Sequence, residues 1–419
     1  MRIRPMKLNW LIICLGLLPI FHSSEARSDS FWPQKIKVGG EFRARIESEI
    51  NFPSKTSTPI NDTFGLLRTR VYLDINPNSE LRIFGMFQST ESIDQDSALI
   101  KYPDQQSFYQ GWFFAKNNAP TSTAIKVGRQ ELIYGDQRLI GNADWTNIGR
   151  SFDGAVLHID NKAFWVDAFG TRIKTPAGLE QQFAGVYGHW KKFPGGEYEP
   201  YVLVLHGSNS GVNSGELTAV TIGSRIKAKF KKNWDWGFEG AYQSGESAGN
   251  LVSAFATHAR LGFTFPIPWR PRLGIEFNFA SGDNNPTSGT VSTFNNLFPT
   301  NHDKYGFMDL FAWKNLYDLR TGLNCQPLPF MTATLEYHLF MLPAPANGTF
   351  LYNGTQLRAG IPGASPFAGQ EIDALLKFKP WKYFDALIGY SVFFPGTFYS
   401  DTGESATAQF VYSQLTARY

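Results

Sequence analysis

Residues 217–243 read LTAVTIGSRIKAKFKKNWDWGFEGAYQ, two alternating stretches around a short basic turn. In the first, Thr218, Val220, Ile222, Ser224, Ile226, Ala228 and Phe230 fall on one side. Gly223, Arg225, Lys227 and Lys229 fall on the other. In the second, Trp234, Trp236, Phe238, Gly240 and Tyr242 alternate with Asp235, Glu239 and Gln243. A period of two sends successive side chains to opposite faces of a strand. One face here is apolar and aromatic and the other is charged. Over segments of roughly ten residues, that is the signature of a transmembrane β-barrel.

Working outward, Leu273, Ile275, Phe277 and Phe279 alternate with Arg272, Gly274, Glu276 and Asn278, and Leu67 to Ile75 does the same against Arg68, Arg70, Tyr72 and Asp74. Continued along the chain, the pattern predicts about eighteen strands. They begin near Lys37, Leu66, Leu81, Phe108, Ile125, Phe152, Ala163, Gln182, Tyr198, Leu217, Trp234, Ser253, Arg272, Asn315, Phe330, Glu371, Phe384 and Ala408. The connections keep step with strand parity. Even-to-odd ones are short, as at 76–79, 160–162, 231–233 and 326–329; most odd-to-even ones are long, as at 49–65, 91–106, 134–151, 283–314, 342–369 and 396–407. Outer-membrane barrels have short periplasmic turns and longer extracellular loops. Trp269, Trp381 and Tyr383 lie by short turns, where an aromatic girdle belongs, and the chain ends on Val411, Leu415 and Tyr419 in alternation. A soluble β-sandwich or propeller would need matched polar outer faces instead.

Composition agrees. Aromatics make up 15 % of the 419 residues and charged residues only 18 %, below the roughly 25 % of soluble domains. After the N-terminus no apolar run is long enough for a transmembrane helix. Residues 1–26 read as a secretory signal peptide: Arg2, Arg4 and Lys7, an apolar stretch from Leu8 to Phe21, and Ser24-Glu25-Ala26 as cleavage site. Residues 27–419 are then one outer-membrane β-barrel domain. Without Arg2, Arg4, Lys7 and Glu25 the mature chain is near neutral, so its total charge says nothing about partners. Cys325 is its only cysteine, which excludes an intramolecular disulfide.

If the apolar side chains face lipid, the alternate ones face the interior. A charge on the lipid side costs ~2–4 kcal/mol near the midplane, which fixes register. Arg43, Arg45, Arg68, Arg70 and Arg82 then point inward from one sector, and Arg225, Lys227, Lys229, Arg260 and Arg272 from the opposite one. Asp318, Arg320, Glu336, His338, Glu371, Asp373 and Lys377 lie between. Arginine forks match carboxylates, and rings of Arg or Lys favour anions, so these residues are candidates for a solute pathway. Pairing with Glu41, Glu47, Asp74, Glu239 and Glu276 to stiffen the wall is the competing role.

The stretch Val127–Ala155, VGRQELIYGDQRLIGNADWTNIGRSFDGA, breaks the pattern with a long polar connection rich in Arg, Asp and Gly. Connections of this kind are usually functional. With Ala280-Ser281-Gly282-Asp283, 293–302 and Tyr305 to Asp309, it resembles the signature of the alginate-export family of outer-membrane porins. The resemblance covers nearly the whole mature chain. It implies an eighteen-stranded barrel with an arginine-rich lumen, and it carries Arg129, Glu131, Arg138, Arg150, Asp153, Asp283, His302 and Asp309 as family-motif loop residues. Arg129 lies on the apolar parity of its strand unless a bulge re-aims it.

The expected function is a channel in the bacterial outer membrane passing an anionic solute. The first reading is export of an acidic, alginate-like polysaccharide; a diffusion porin taking up small anions or oligosaccharides is the alternative. Outer-membrane lipid, the anionic solute and periplasmic secretion-scaffold proteins are the expected partners, and nucleic acid is not. No nucleophile elbow, zinc-protease helix or cysteine pair is present, so neither catalysis, a cofactor nor a metal is expected. A barrel hydrolase or adhesin is a third and weaker reading. Ser281 to Asn285 offers oxygen ligands for Ca²⁺ but reads more simply as a turn.

Overall fold

In the computed structural model, residues 36–53, 58–96, 103–174, 178–209, 215–285 and 287–419 are described. The signal peptide expected at 1–26 lies outside them. Eighteen antiparallel strands form one closed ring. They are β1 (Ile36–Phe52), β2 (Ile60–Ile75), β3 (Leu81–Ile93), β4 (Gln105–Lys116), β5 (Ser122–Gln130) and β6 (Phe152–Asp160). Next come β7 (Phe164–Lys174), β8 (Glu180–Trp190), β9 (Gly196–Asn209), β10 (Gly215–Phe230), β11 (Trp234–Ser247) and β12 (Asn250–Thr264). The last six are β13 (Arg272–Ala280), β14 (Leu316–Leu328), β15 (Met331–Met341), β16 (Phe367–Trp381), β17 (Phe384–Pro395) and β18 (Ala408–Arg418). Each strand pairs with the next, and β18 pairs with β1 from Glu41 opposite Arg418 to Ile50 opposite Gln409. Closure leaves no unpaired edge, the condition for crossing a bilayer with strands.

The alternation read from the sequence sets the two faces. Ile222, Phe238, Phe277, Leu335 and Ile388 are exposed on the outer wall. Arg43, Arg68, Thr221, Arg225 and Asn278 face inward and are buried. Trp269, Trp381 and Tyr383 stand exposed at the short-turn end, as a girdle requires.

The interior is partly filled by the chain itself. Strands β5, β6 and β13 have nine residues each, against 17 and 16 in β1 and β2. Over these low stretches of wall the connections 131–151 and 281–315 turn inward. Tyr305, Met308, Leu310, Phe311 and Trp313 of the second form one buried cluster with wall residues such as Phe340 and Phe393. The two connections also pair with each other, through Gly141 N–H to the Phe298 carbonyl (2.8 Å), Phe298 N–H to that of Leu139 (2.9 Å) and Thr300 N–H to that of Gln137 (2.9 Å). Buried backbone polar groups need partners, and this ladder supplies them. A short helix, α1 (Thr397–Thr402), buries Phe398 and Tyr399 in the last long connection.

Candidate functional site

Connection 131–151 is a strap that meets both walls of the barrel. At the β1–β2 wall, Arg43 donates to the backbone carbonyls of Asp144 (2.7 Å) and Thr146 (2.9 Å) and to Asn147 Oδ1 (3.2 Å). Arg45 donates to the Trp145 carbonyl (2.7 Å), lies 3.8 Å over the Trp145 ring and pairs with Glu47 (2.8 Å). The Asp144 carboxylate sits between Arg68 Nη1 and Arg70 Nη1, each at 2.9 Å. Arg68 also holds Glu41 (2.6 Å) and Arg70 donates to Gln88 (2.6 Å). Asn147 seals the contact by donating to the backbone carbonyl of Leu67 (3.0 Å). Gly149, at φ 77°, passes so close to the wall that a Cβ would stand 2.5 Å from the Tyr109 hydroxyl. Only glycine adopts that conformation there without strain.

At the opposite wall, Asp136 reaches Arg225 Nη2 (2.7 Å), with Arg260 at 3.9 Å and Lys227 at 4.0 Å. Arg225 already holds Glu199 (2.8 Å) and Glu197 (3.2 Å). Burial alone would raise the Asp144 carboxyl, but Arg68, Arg70 and Arg43 outweigh it and hold the group below the usual carboxylate range. Burial likewise opposes ionisation of Asp136, and Arg225, Arg260 and Arg138 prevail. Asp136 and Asp144 are therefore both charged at neutral pH, each on an arginine of a different wall.

The motif residues mostly hold the strap in shape. Glu131 accepts from the Tyr109 hydroxyl (2.7 Å) and from Asn142 (3.1 Å). Arg138 contacts the Tyr305 hydroxyl (3.1 Å), His258 (3.2 Å) and Glu276 (3.4 Å). Arg150 donates to the carbonyls of Gly141 (3.1 Å) and Pro299 (2.8 Å), which ties the strap to connection 281–315. His302 stacks on Trp145 with ring centroids 3.5 Å apart and pairs with Asp309 (3.0 Å). Asp283 accepts from the Asn285 N–H at 2.9 Å, an Asx turn that serves the turn reading of that segment. Arg129 and Asp153 stand apart from the rest. The register of β5 runs without a bulge, so Arg129 stays on the outer face and pairs there with Asp153 through two contacts of 2.7 Å.

The sequence-predicted pathway residues divide in two. Arg43, Arg45, Arg68, Arg70 and Arg225 are brought inward and covered; Arg68 is 1 % exposed. Arg82, Lys227, Arg260, Arg272 and Arg320 lie toward the short-turn end or beneath the loops. There the Arg82 side chain is 43 % exposed and that of Lys227 45 %. Arg82 is paired with Asp74 (2.8 Å), Arg272 with Asp235 (2.6 Å), and Arg320 with Glu336 and Glu276. Beside Arg82, Tyr72, Phe84 and Trp112 stack along the inner wall at 5.7 and 5.0 Å, with Lys126 4.5 Å over Trp112. Sequence reasoning gave no role to Asp136, Asp144, Trp145, Lys126 or Trp112. The first three stood inside the quoted motif, and the last two carried only the inward parity of their strands.

Comparison with known proteins agrees with this architecture. The alginate export family matches residues 34–413. Among solved structures, the chain is similar to Pseudomonas aeruginosa OccK3 (OpdO), at TM-score 0.62 and 10 % identity, over 92 % of this chain and 95 % of that one. OccK5 (OpdH) of the same organism aligns at TM-score 0.61 and 10 % identity over 93 % and 100 %. Its outer membrane protein OprD aligns at 0.59 and 10 % over 92 % and 94 %. At such identity these likenesses show the fold alone. A search of the curated proteins finds no match. A closed eighteen-stranded ring with an apolar outer wall and inward arginines, matched by the family profile over nearly its full length, is an outer-membrane channel barrel, and the chain belongs to the alginate export family.

Proposed function

We propose that this channel passes an acidic polysaccharide, with the arginine-bearing walls as its carboxylate track and strap 131–151 as the element displaced when the polymer threads. The observation that carries this reading is Asp144. It is a carboxylate seated between Arg68 and Arg70 in the place a uronate carboxylate would take, and a tethered group of the same chemistry is a fitting placeholder. The track Tyr72, Phe84 and Trp112 beside Arg82 and Lys126 supports the sugar component, because aromatic faces pack on sugar rings while cations hold the acid groups. Periplasmic secretion-scaffold proteins would meet the short-turn end. The alternative is uptake of small anions, favoured by the single carboxylate that the strap offers to each wall.

Planar bilayers test the reading. Polymannuronate added to one side should block current at concentrations where a neutral glucan of equal length does not. Combined Arg82→Gln, Lys126→Gln and Lys227→Gln changes should weaken the block and shift the reversal potential in a salt gradient toward cations. Equal block by monomeric uronate and polymer would favour the small-anion reading; no block by either would remove both.

A further inference from the structure

Under connection 281–315, on the inner wall of β14–β16, lies a second cluster that the strap does not use. It contains Asp318 from β14, Glu336 and His338 from β15, and Glu371 and Asp373 from β16, all buried. The register makes the arrangement costly by itself. Glu336 stands directly opposite Asp373, and His338 opposite Glu371. Like charges in cross-strand positions destabilise a sheet, and buried carboxylates need a compensating positive charge. Arg320, on one oxygen of Glu336, is the one arginine or lysine paired with any of these carboxylates among the described residues.

The hydrogen bonds point inward to a common centre. His338 Nδ1 is held by Asp318 Oδ1 at 2.9 Å, and Asp318 Oδ2 accepts in turn from Asn278 (2.9 Å). That fixes the ring and leaves Nε2, which has no hydrogen-bond partner, 3.8 Å from both Glu336 Oε2 and Asp373 Oδ2. Neither oxygen of Asp373 has a hydrogen-bond partner. Glu371 uses Oε1 to accept the Met308 N–H (2.9 Å) and leaves Oε2 unbonded. Gly306, at φ 85°, lets the connection close down on Glu371; a Cβ there would stand 2.5 Å from its carboxylate.

A carboxylate–histidine pair that presents the second ring nitrogen to further carboxylates is the usual support of a metal-ligating histidine. We propose that Glu336, His338 and Asp373, with Glu371 beside them, bind one divalent first-row transition ion of the Zn²⁺ type. The donor set decides the class: an imidazole nitrogen with carboxylates suits Zn²⁺, whereas Ca²⁺ and Mg²⁺ take oxygen alone. The candidate ligand atoms of Glu336, His338 and Asp373 lie within 4.8 Å of one another. With Zn–ligand distances of about 2.0–2.2 Å, small side-chain rotations bring them into one coordination sphere. The ion would supply positive charge among these carboxylates and link β15 and β16 to the connection packed over them.

The test uses the full mature chain in detergent, stripped with a chelator, reloaded with Zn²⁺ and passed through gel filtration. One equivalent of zinc should remain by mass spectrometry, and the apparent melting temperature should rise. His338→Gln and Asp373→Asn, checked for folding by heat-modifiable gel migration, should each retain at least tenfold less. Zinc-edge absorption on the wild type gives a readout independent of the variants. One imidazole and carboxylate oxygens in the first shell support the site, and a sphere of water oxygens overturns it. Retention by the wild type no greater than by folded His338→Gln also overturns it, and would assign the cluster to shared protons.

Discussion

The two walls that the strap touches look alike in sequence, and the structure shows how they differ. At the β1–β2 wall, every hydrogen bond that Arg43 makes among the described residues goes to the strap, and Arg68 and Arg70 share the Asp144 carboxylate. At the β10 wall, Arg225 is already held by Glu197 and Glu199, so Asp136 is a third partner. Arg43 depends on the loop for its hydrogen bonds, whereas Arg225 is held first by carboxylates of its own wall. A buried arginine without a partner is costly, so the first wall is where the strap is anchored and where an incoming anion has most to replace.

This contrast orders the consequences. Replacing residues 137–147 with a Gly-Ser linker of equal length should raise single-channel conductance several-fold, the largest effect expected; unchanged conductance would show that the strap does not obstruct the path. Asp144→Asn should come next, raising open time about tenfold, or about 1.4 kcal/mol, a figure kept low because the Asp144 side chain is 46 % exposed and partly screened. Its carboxyl is held below its unfolded value. Its contribution is therefore fully present above a pH of about 4 and is lost as pH falls below that, which acid titration of open time would follow. Asp136→Asn should raise open time less, by two- to threefold or under about 1 kcal/mol, because Arg225 keeps Glu197 and Glu199. Equal effects from the two substitutions would erase the distinction between the walls.

The smallest expected effect lies in the second inward connection. Burial pushes the Lys314 ammonium down to about 8, where it rests over the Phe350 ring. The unfolded chain then binds more protons than the folded one between that value and the ordinary lysine range, so stability should rise with pH across this window. Lys314→Met should abolish the rise, as read from thermal midpoints at pH 7, 8 and 9.

The fold was legible because lipid imposes a strict rule on every strand. Strand starts read at Leu81, Phe152, Trp234, Arg272, Phe384 and Ala408 coincide with those observed, since a one-residue slip would turn every charge toward hydrocarbon. The rule lapses where the chain leaves the wall. Asp144 and Trp145 stood in view inside the motif, yet no periodicity tells whether a polar connection extends outward or folds back. Arg129 and Arg138 lie in one motif, and only their placement separates an outer-face ion pair from an interior anchor.

The amino-acid sequence by itself determined that this chain is a barrel of about eighteen strands and which strand side chains point inward, because alternation against a bilayer fixes which face meets lipid. Only the tertiary structure decided what those inward side chains meet. Which carboxylate sits on Arg68, and which histidine nitrogen faces Asp373, depends on contacts between residues distant along the chain, and local pattern carries no record of them.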